Sequence, residues 1–452
     1  MKKIGRYEIK GLLGRGGMSV VFKAMAPVTG RMVALKLVGP RDELLIDLMG
    51  MDRLKELFRQ EAKIMGSIRH PNVAAILDYD LHQGRPFYTM EYHSHSLGTV
   101  MGETYRIEDP SRPVTLEKSV GYTSQVLKGL ERLHYAGLIH RDIKPFNLLL
   151  TEQDQVKIID FGLSRIRGEA TSADRHKGLL IGSPYYAAPE QERSPDSVDE
   201  RADLFPVGVM LYRLLTGHIP DPTIREPDPV SSINSTVPEW WDPFFSKALA
   251  VDPKDRFSSA SEMLKELNVL FNRWLKEQEA ICQGFDSKMD NVYQVKAHRV
   301  RNRPQKVPLK DARMEFGLDR LWRPDHYHIQ KFKRHNELIH APVIGLIWQQ
   351  SGSPFAMTWD EAKSYIQYLN RIEYNGIKTW RLPTVEELMT LLTPPPARED
   401  YCLDPLFERG LRWVWSSDRC TYTAAWVADV EMGYITRQDM TGYARVCAVT
   451  TN

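Results

Sequence analysis

Apolar and polar positions alternate in short runs near the start of the chain, at Tyr7–Leu12, Val20–Ala24 and Met32–Val38. The period of two and the β-branched content predict strands there. A different period follows, with Leu54, Phe58, Met65 and Ile68 recurring at helical spacing. From about residue 119 the pattern is mostly helical, up to a long amphipathic segment at Ser259–Leu275. Residues 1–275 therefore read as a β-rich small lobe ahead of an α-rich large lobe, an α+β architecture.

Residues 276–310 break this pattern and read as a basic linker. Lys288, Lys296, Arg299, Arg301, Arg303, Lys306 and Lys310 crowd a stretch with few apolar residues. A solvated connection is the simpler reading; a patch for an acidic partner is the other. Residues 311–452 form a second, smaller α+β unit rich in Trp and Tyr. Two capping boxes open helices in it, Thr358-Trp359-Asp360-Glu361 and Thr384-Val385-Glu386-Glu387. In each, the Thr hydroxyl can accept from the amide three residues on while the Glu reaches back.

Composition narrows the class. A length of 452 residues suggests two or three domains, and the apolar and charged fractions suit a soluble globular protein. A net charge of +2 speaks against nucleic acid as a main partner. Cys282, Cys402, Cys420 and Cys447 are too few and too scattered for a disulfide scaffold, and none forms a C-x-x-C pair. No apolar run is long enough to span a membrane, and the N-terminus shows no secretory pattern. A cytoplasmic protein with reduced thiols is expected.

The candidate chemistry begins at Gly14-Arg15-Gly16-Gly17-Met18-Ser19, between two strand-like runs. Glycines without Cβ let backbone amides approach a triphosphate, though a Gly-rich turn alone says little. Lys36 ends the apolar strand Val33-Ala34-Leu35-Lys36. Glu61 falls within or beside the apolar stripe of the following helix, and an inward carboxylate needs a cation. Lys36 is its natural partner, and the pair would aim the ammonium at the α- and β-phosphates.

The most specific signal is His140-Arg141-Asp142-Ile143-Lys144-Pro145-Phe146-Asn147, followed by a hairpin and Asp160-Phe161-Gly162. Asp142 would accept or orient a substrate hydroxyl proton, and Lys144 would neutralise charge on the transferring γ-phosphoryl. Asn147 and Asp160 supply hard oxygen ligands for Mg²⁺, brought to one place by the hairpin.

On these motifs residues 7–275 resemble the protein-kinase superfamily, specifically the eukaryotic-like Ser/Thr kinases of bacteria. The likeness continues through Ile181–Glu190, Asp203, Gly208 and Arg256. It implies a bilobal kinase fold, with ATP and Mg²⁺ as cofactors and Ser/Thr proteins as substrates. It places Met90 as gatekeeper, the backbone of Glu91 and His93 against adenine, and Leu13, Val21, Ala34 and Leu149 around the base. It pairs Arg256 with Glu190, and makes Thr171 and Ser172 the expected phosphosites. Ser19 and Pro206 depart from the family pattern, and residues 41–52 and 102–118 look like insertions.

Residues 311–452 resemble small bacterial domains of C-type-lectin-like fold, related in shape to formylglycine-generating enzymes. Gly345–Trp348, Trp380-Arg381-Leu382-Pro383-Thr384, Trp415-Ser416-Ser417 and Arg445-Val446-Cys447 carry that likeness. It implies a module for an unknown ligand or protein, with Trp413, Tyr422 and Tyr434 as stacking candidates. The competing reading of the whole chain is a silent kinase fold serving as a scaffold or sensor.

Overall fold

The alternating segments pair into one antiparallel sheet. Its strands are β1 (Lys3–Ile4), β2 (Tyr7–Arg15), β3 (Ser19–Met25), β4 (Met32–Val38), β5 (Ile76–His82) and β6 (Arg85–Glu91), in the order β1-β2-β3-β4-β6-β5. The computed structural model describes residues 2–16, 19–39, 50–104, 106–160, 165–166, 185–193, 198–221, 227–282, 300–328, 331–395 and 401–451. These divide into two units, Met1–Ala280 and Ile281–Asn452.

Helix α1 (Met51–Ser67) turns Leu54, Phe58, Ala62 and Met65 inward along one stripe. That stripe packs against the sheet, as its helical spacing requires. In the large lobe, α2 (Leu116–Tyr135) and α3 (Arg201–Thr216) carry the core. Nearly every residue of α3 is buried. Pro206 lies inside α3, yet the helix runs through it without a break.

A short hairpin, β7 (Leu148–Leu150) with β8 (Val156–Ile158), lies on α2. Gly129 of α2 makes the approach possible: a Cβ there would sit 2.6 Å from Ile158 Cδ1 and 3.1 Å from the Asn72 carbonyl oxygen. Residues 102–118, expected as an insertion, are stitched to the large lobe. Ser111 N donates to Gly217 O and Val114 N to Leu214 O. Arg112 is buried and donates to the carbonyls of Val100 and Thr99. The last helix of this unit, α4 (Ala260–Cys282), continues beyond the expected boundary at 275.

The second unit contains two antiparallel sheets. One is ordered β9 (Lys333–His335), β10 (Leu338–Ala341), β11 (Leu346–Gln349), β15 (Val449–Thr451). The other is β12 (Trp413–Arg419), β13 (Ala424–Asp429), β14 (Tyr434–Asp439). Helices α5 (Trp359–Arg371) and α6 (Val385–Met389) both open with complete capping boxes, at Thr358/Glu361 and Thr384/Glu387.

Two expectations change here. Residues 300–310 belong to this unit rather than to a solvated linker. Val307 is in its core, and Arg301 makes two 2.9 Å bonds to the fully buried Asp418 carboxylate. The same carboxylate accepts from the amides of Gln305 and Val385, at 2.7 and 2.8 Å. Removing one partner of a buried pair strands the other charge. Arg301→Ala should therefore destabilise this unit by about 2–4 kcal/mol in a denaturant titration.

The second change concerns the stacking candidates. Trp413 and Tyr434 are buried, so neither offers a ring to a ligand. Only Tyr422 of the three is exposed, with Lys306 Nζ 3.8 Å from its ring centroid. Cys402, Cys420 and Cys447 are buried and none is in a disulfide. Burial pushes the Cys447 thiol up to about 12, and its Sγ donates to Gln349 O at 3.3 Å.

Candidate active site

The site is assembled where the small-lobe sheet meets the large-lobe hairpin. Register sets the first part of it. Val21 of β3 lies opposite Lys36 of β4, and Ala34 lies opposite Met90 of β6. These pairings place Val21, Ala34 and the chain following Met90 on one stretch of sheet. Gly14 pairs with Val21, and Gly16 N donates to Ser19 O at 2.8 Å, closing the glycine turn. Leu13 is partly exposed on the same strand. Gly17 and Met18 lie outside the described residues.

Lys36 and Glu61 meet as the inward carboxylate required. Lys36 Nζ is 2.9 Å from Glu61 Oε1 and 2.9 Å from Asp160 Oδ1. Burial alone would lower the Lys36 ammonium. The Tyr88 phenol, Asp160 and Glu61 more than reverse this and hold it well above the ordinary lysine value. Lys36 is thus a fixed cation, at a point where the small lobe touches the hairpin end.

Glu91 and His93 close the upper edge. Glu91 is 3.6 Å from Lys157, 3.7 Å from Arg31 and 3.9 Å from His93. Its carboxyl is pulled down to about 2, first by the nearby His93 and, against the cost of burial, by Lys157 and Arg31. Lys157 is also the cross-strand partner of Leu149. The Glu91–Lys157 pair therefore brings the Leu149 strand up to the segment that would hold adenine.

The catalytic loop is tightly connected. Asp142 Oδ2 accepts from Lys144 Nζ at 2.7 Å and from Asn147 Nδ2 at 2.9 Å. Asn147 Nδ2 also donates to Asp142 O at 2.8 Å. Using its amide nitrogen this way leaves the side-chain carbonyl of Asn147 as the atom that could serve a metal. Ile159 N donates to Asn147 O at 2.9 Å, which sets Asp160 next to Asn147. Contacts thus link Glu61–Lys36–Asp160 on one side and Asn147–Asp142–Lys144 on the other, and the Ile159 amide bond to Asn147 O joins the two groups.

Two residues of the site have unusual backbones. Arg141 and Asp160 adopt φ of 65° and 66°, a region that side-chain-bearing residues rarely enter. Such conformations persist only where the surroundings over-determine them. At Arg141 the determinant is the fully buried Asp203, whose Oδ1 accepts from Arg141 N at 2.7 Å. Its Oδ2 accepts from His140 N and bonds His134 Nε2, both at 2.8 Å. Gln191 Nε2 donates to Arg141 O from the other side. Below the loop, Arg256 grips Glu190 with two bonds of 2.6 and 2.8 Å, the pairing expected from the sequence.

The donor set suits a metal shared with phosphate. Among the described residues no group of three His, Cys, Asp or Glu could hold an ion by itself. One carboxylate and one amide carbonyl, Asp160 and Asn147, match a Mg²⁺ that takes its remaining oxygens from substrate phosphates and water. Thr171, Ser172 and Ser183 lie outside the described residues.

By resemblance Tyr88 opens the hinge segment that runs to His93, and the resemblance gives its hydroxyl no partner. The fully buried Tyr88 donates from its hydroxyl to Glu61 Oε1 at 2.9 Å. A tyrosine between Phe87 and Met90 in a buried strand was the available signal, because its hydroxyl must find a partner. The clamp role of Asp203 was equally unassigned, since its partners lie more than sixty residues away.

A family model described as protein kinase domain matches residues 7–268. A second, described as Lcl C-terminal domain, matches residues 338–450. A probable serine/threonine-protein kinase of Streptomyces coelicolor is 35% identical over 275 residues, covering 57% of this chain and 39% of that one. The serine/threonine-protein kinase PksC of the same organism is 34% identical over 278 residues, covering 58% and 48%. The chain therefore spans less than half the length of these relatives. The crystallised PknI kinase domain of Mycobacterium tuberculosis is 23% identical, covers 60% of this chain and 98% of that one, and superposes with a TM-score of 0.46. With the kinase model matched over more than half its length, the chain belongs to the protein kinase domain family.

Proposed function

We propose that this chain is a Ser/Thr protein kinase that moves the γ-phosphoryl of ATP to a protein hydroxyl with the help of Mg²⁺. The two contact groups Glu61–Lys36–Asp160 and Asn147–Asp142–Lys144, joined by the Ile159 amide bond to Asn147 O, carry this reading. In it Asp142 accepts or orients the hydroxyl proton, and Lys144 offsets charge on the transferring group. Lys36, held by Glu61, steadies the α- and β-phosphates. Glu91 and His93 present backbone groups to adenine, between Leu13, Val21 and Ala34 above and Leu149 below. Gly14 and Gly16 admit the phosphates. Asn147 and Asp160 would hold the metal, which would supply charge neutralisation across the phosphates.

Relatives named as serine/threonine-protein kinases support the hydroxyl acceptor, as does Lys144 beside Asp142. The C-terminal unit is read as a module of C-type-lectin-like fold that recognises a ligand or target protein. A cytoplasmic setting fits the described residues, in which no helix is long and apolar enough to cross a membrane.

The metal assignment has a direct test. Asp160→Asn should raise the Mg²⁺ concentration needed for half-maximal phosphoryl transfer by about tenfold or more, because the variant loses the charged ligand. Transfer measured across a Mg²⁺ series would show this shift. An unchanged Mg²⁺ dependence would remove Asp160 from the site.

A further inference from the structure

Lys36 and Tyr88 are direct cross-strand partners on β4 and β6. Side chains opposite one another on adjacent strands emerge from the same face, about 5 Å apart at Cβ. Both reach the same atom of α1. Lys36 Nζ and the Tyr88 hydroxyl each lie 2.9 Å from Glu61 Oε1. Tyr88 holds the helix at a second point as well, its ring lying against Phe58 with centroids 5.0 Å apart. Phe58 and Glu61 are three residues apart, so one tyrosine contacts two successive positions on the same helical face.

We propose that Tyr88 is a positioning residue for phosphoryl transfer, its hydroxyl and the Lys36 ammonium gripping one Glu61 oxygen so that α1 stays turned inward without a phosphorylated activation segment. The inference rests on the kinase reading above and adds a regulatory consequence to it. Both tethers of Glu61 come from the small-lobe sheet itself, from strands whose register is fixed by five consecutive pairs. A lysine alone is a divided tether here, since the same ammonium also bonds Asp160. The tyrosine has no such competing bond to Asp160. It is fully buried, and burial with the neighbouring Glu61 and Asp160 carboxylates outweighs the opposing pull of Lys36 and holds its phenol well above the ordinary value, so the hydroxyl remains a donor.

The test compares full-length wild type, Tyr88→Phe, Glu61→Gln and the double variant. Each is assayed for transfer from ATP to a generic basic protein, before and after phosphatase treatment. Dephosphorylated wild type should keep at least half its kcat. Tyr88→Phe, which preserves the ring and its contact with Phe58, should lose about tenfold in kcat with little change in the KM for the protein substrate. In the Glu61→Gln background the same substitution should add nothing, because the hydroxyl acts through that carboxylate.

Three results would overturn the proposal. One is a Tyr88→Phe variant that matches wild type in both phosphorylation states. Another is a loss that multiplies with that of Glu61→Gln, as a general folding defect would. The third is loss of wild-type activity on dephosphorylation. A wild type that transfers no phosphate in any state would instead refute the kinase reading itself.

Discussion

Replacing Asp142 by Asn should lower kcat for phosphoryl transfer by about 10²–10⁴-fold, the usual contribution of a positioned proton acceptor. Asp142 is held by Lys144 and Asn147 at 2.7 and 2.9 Å. An amide of the same shape keeps the loop packed but can no longer take a proton. Its –NH₂ would also face the Lys144 ammonium and the Asn147 amide, both donors. Nucleotide affinity should change little, since the adenine and phosphate contacts are assigned to other residues. Steady-state kinetics alongside a nucleotide-binding titration would separate the two. A large loss of binding would show that Asp142 supports the fold of the pocket rather than the transfer.

Asp203→Ala is expected to carry the largest stability effect, about 3–5 kcal/mol in chemical denaturation. The carboxylate is fully buried and serves two backbone amides of the catalytic loop and the His134 ring. Without it, two buried N–H groups lose their acceptors and Arg141 loses the contact that keeps it at φ 65°. Activity should fall as well, because the loop that carries Asp142 is released.

The same residue gives a pH signature. Burial raises the Asp203 carboxyl, but the His134 hydrogen bond, the His134 and His140 charges and the Arg141 amide lower it overall, to below its model-peptide value of 3.8. A carboxyl depressed by folding stabilises fully above its unfolded pKa and loses that contribution as pH falls through the folded one. The stability gap between wild type and Asp203→Ala should therefore be constant at neutral pH and narrow below about pH 4. A gap that widened in acid would contradict this assignment.

Local periodicity carried much of this architecture. The small-lobe strands and α1 emerge where the alternating and helical patterns predict them, with Leu54, Phe58, Ala62 and Met65 facing inward. The Lys36–Glu61 pair was legible because a carboxylate inside an apolar stripe demands a cation. Both capping boxes were legible because they are closed within four residues.

What escaped depends on contacts distant in sequence. Arg301 looked like one more linker cation, yet its partner Asp418 stands more than a hundred residues away. Trp413 begins a strand whose first four residues are all buried. With both faces of the strand covered, no alternation distinguishes a core ring from an exposed one. Tyr88 and Asp203 share this property, because each is explained only by partners that the fold brings to it.

The most direct measurement is transfer of labelled γ-phosphate from Mg-ATP to a protein substrate by the wild-type chain, followed by identification of the labelled amino acid. The account predicts label on serine or threonine, dependent on divalent metal. Absence of transfer, together with no detectable binding of Mg-ATP, would contradict it.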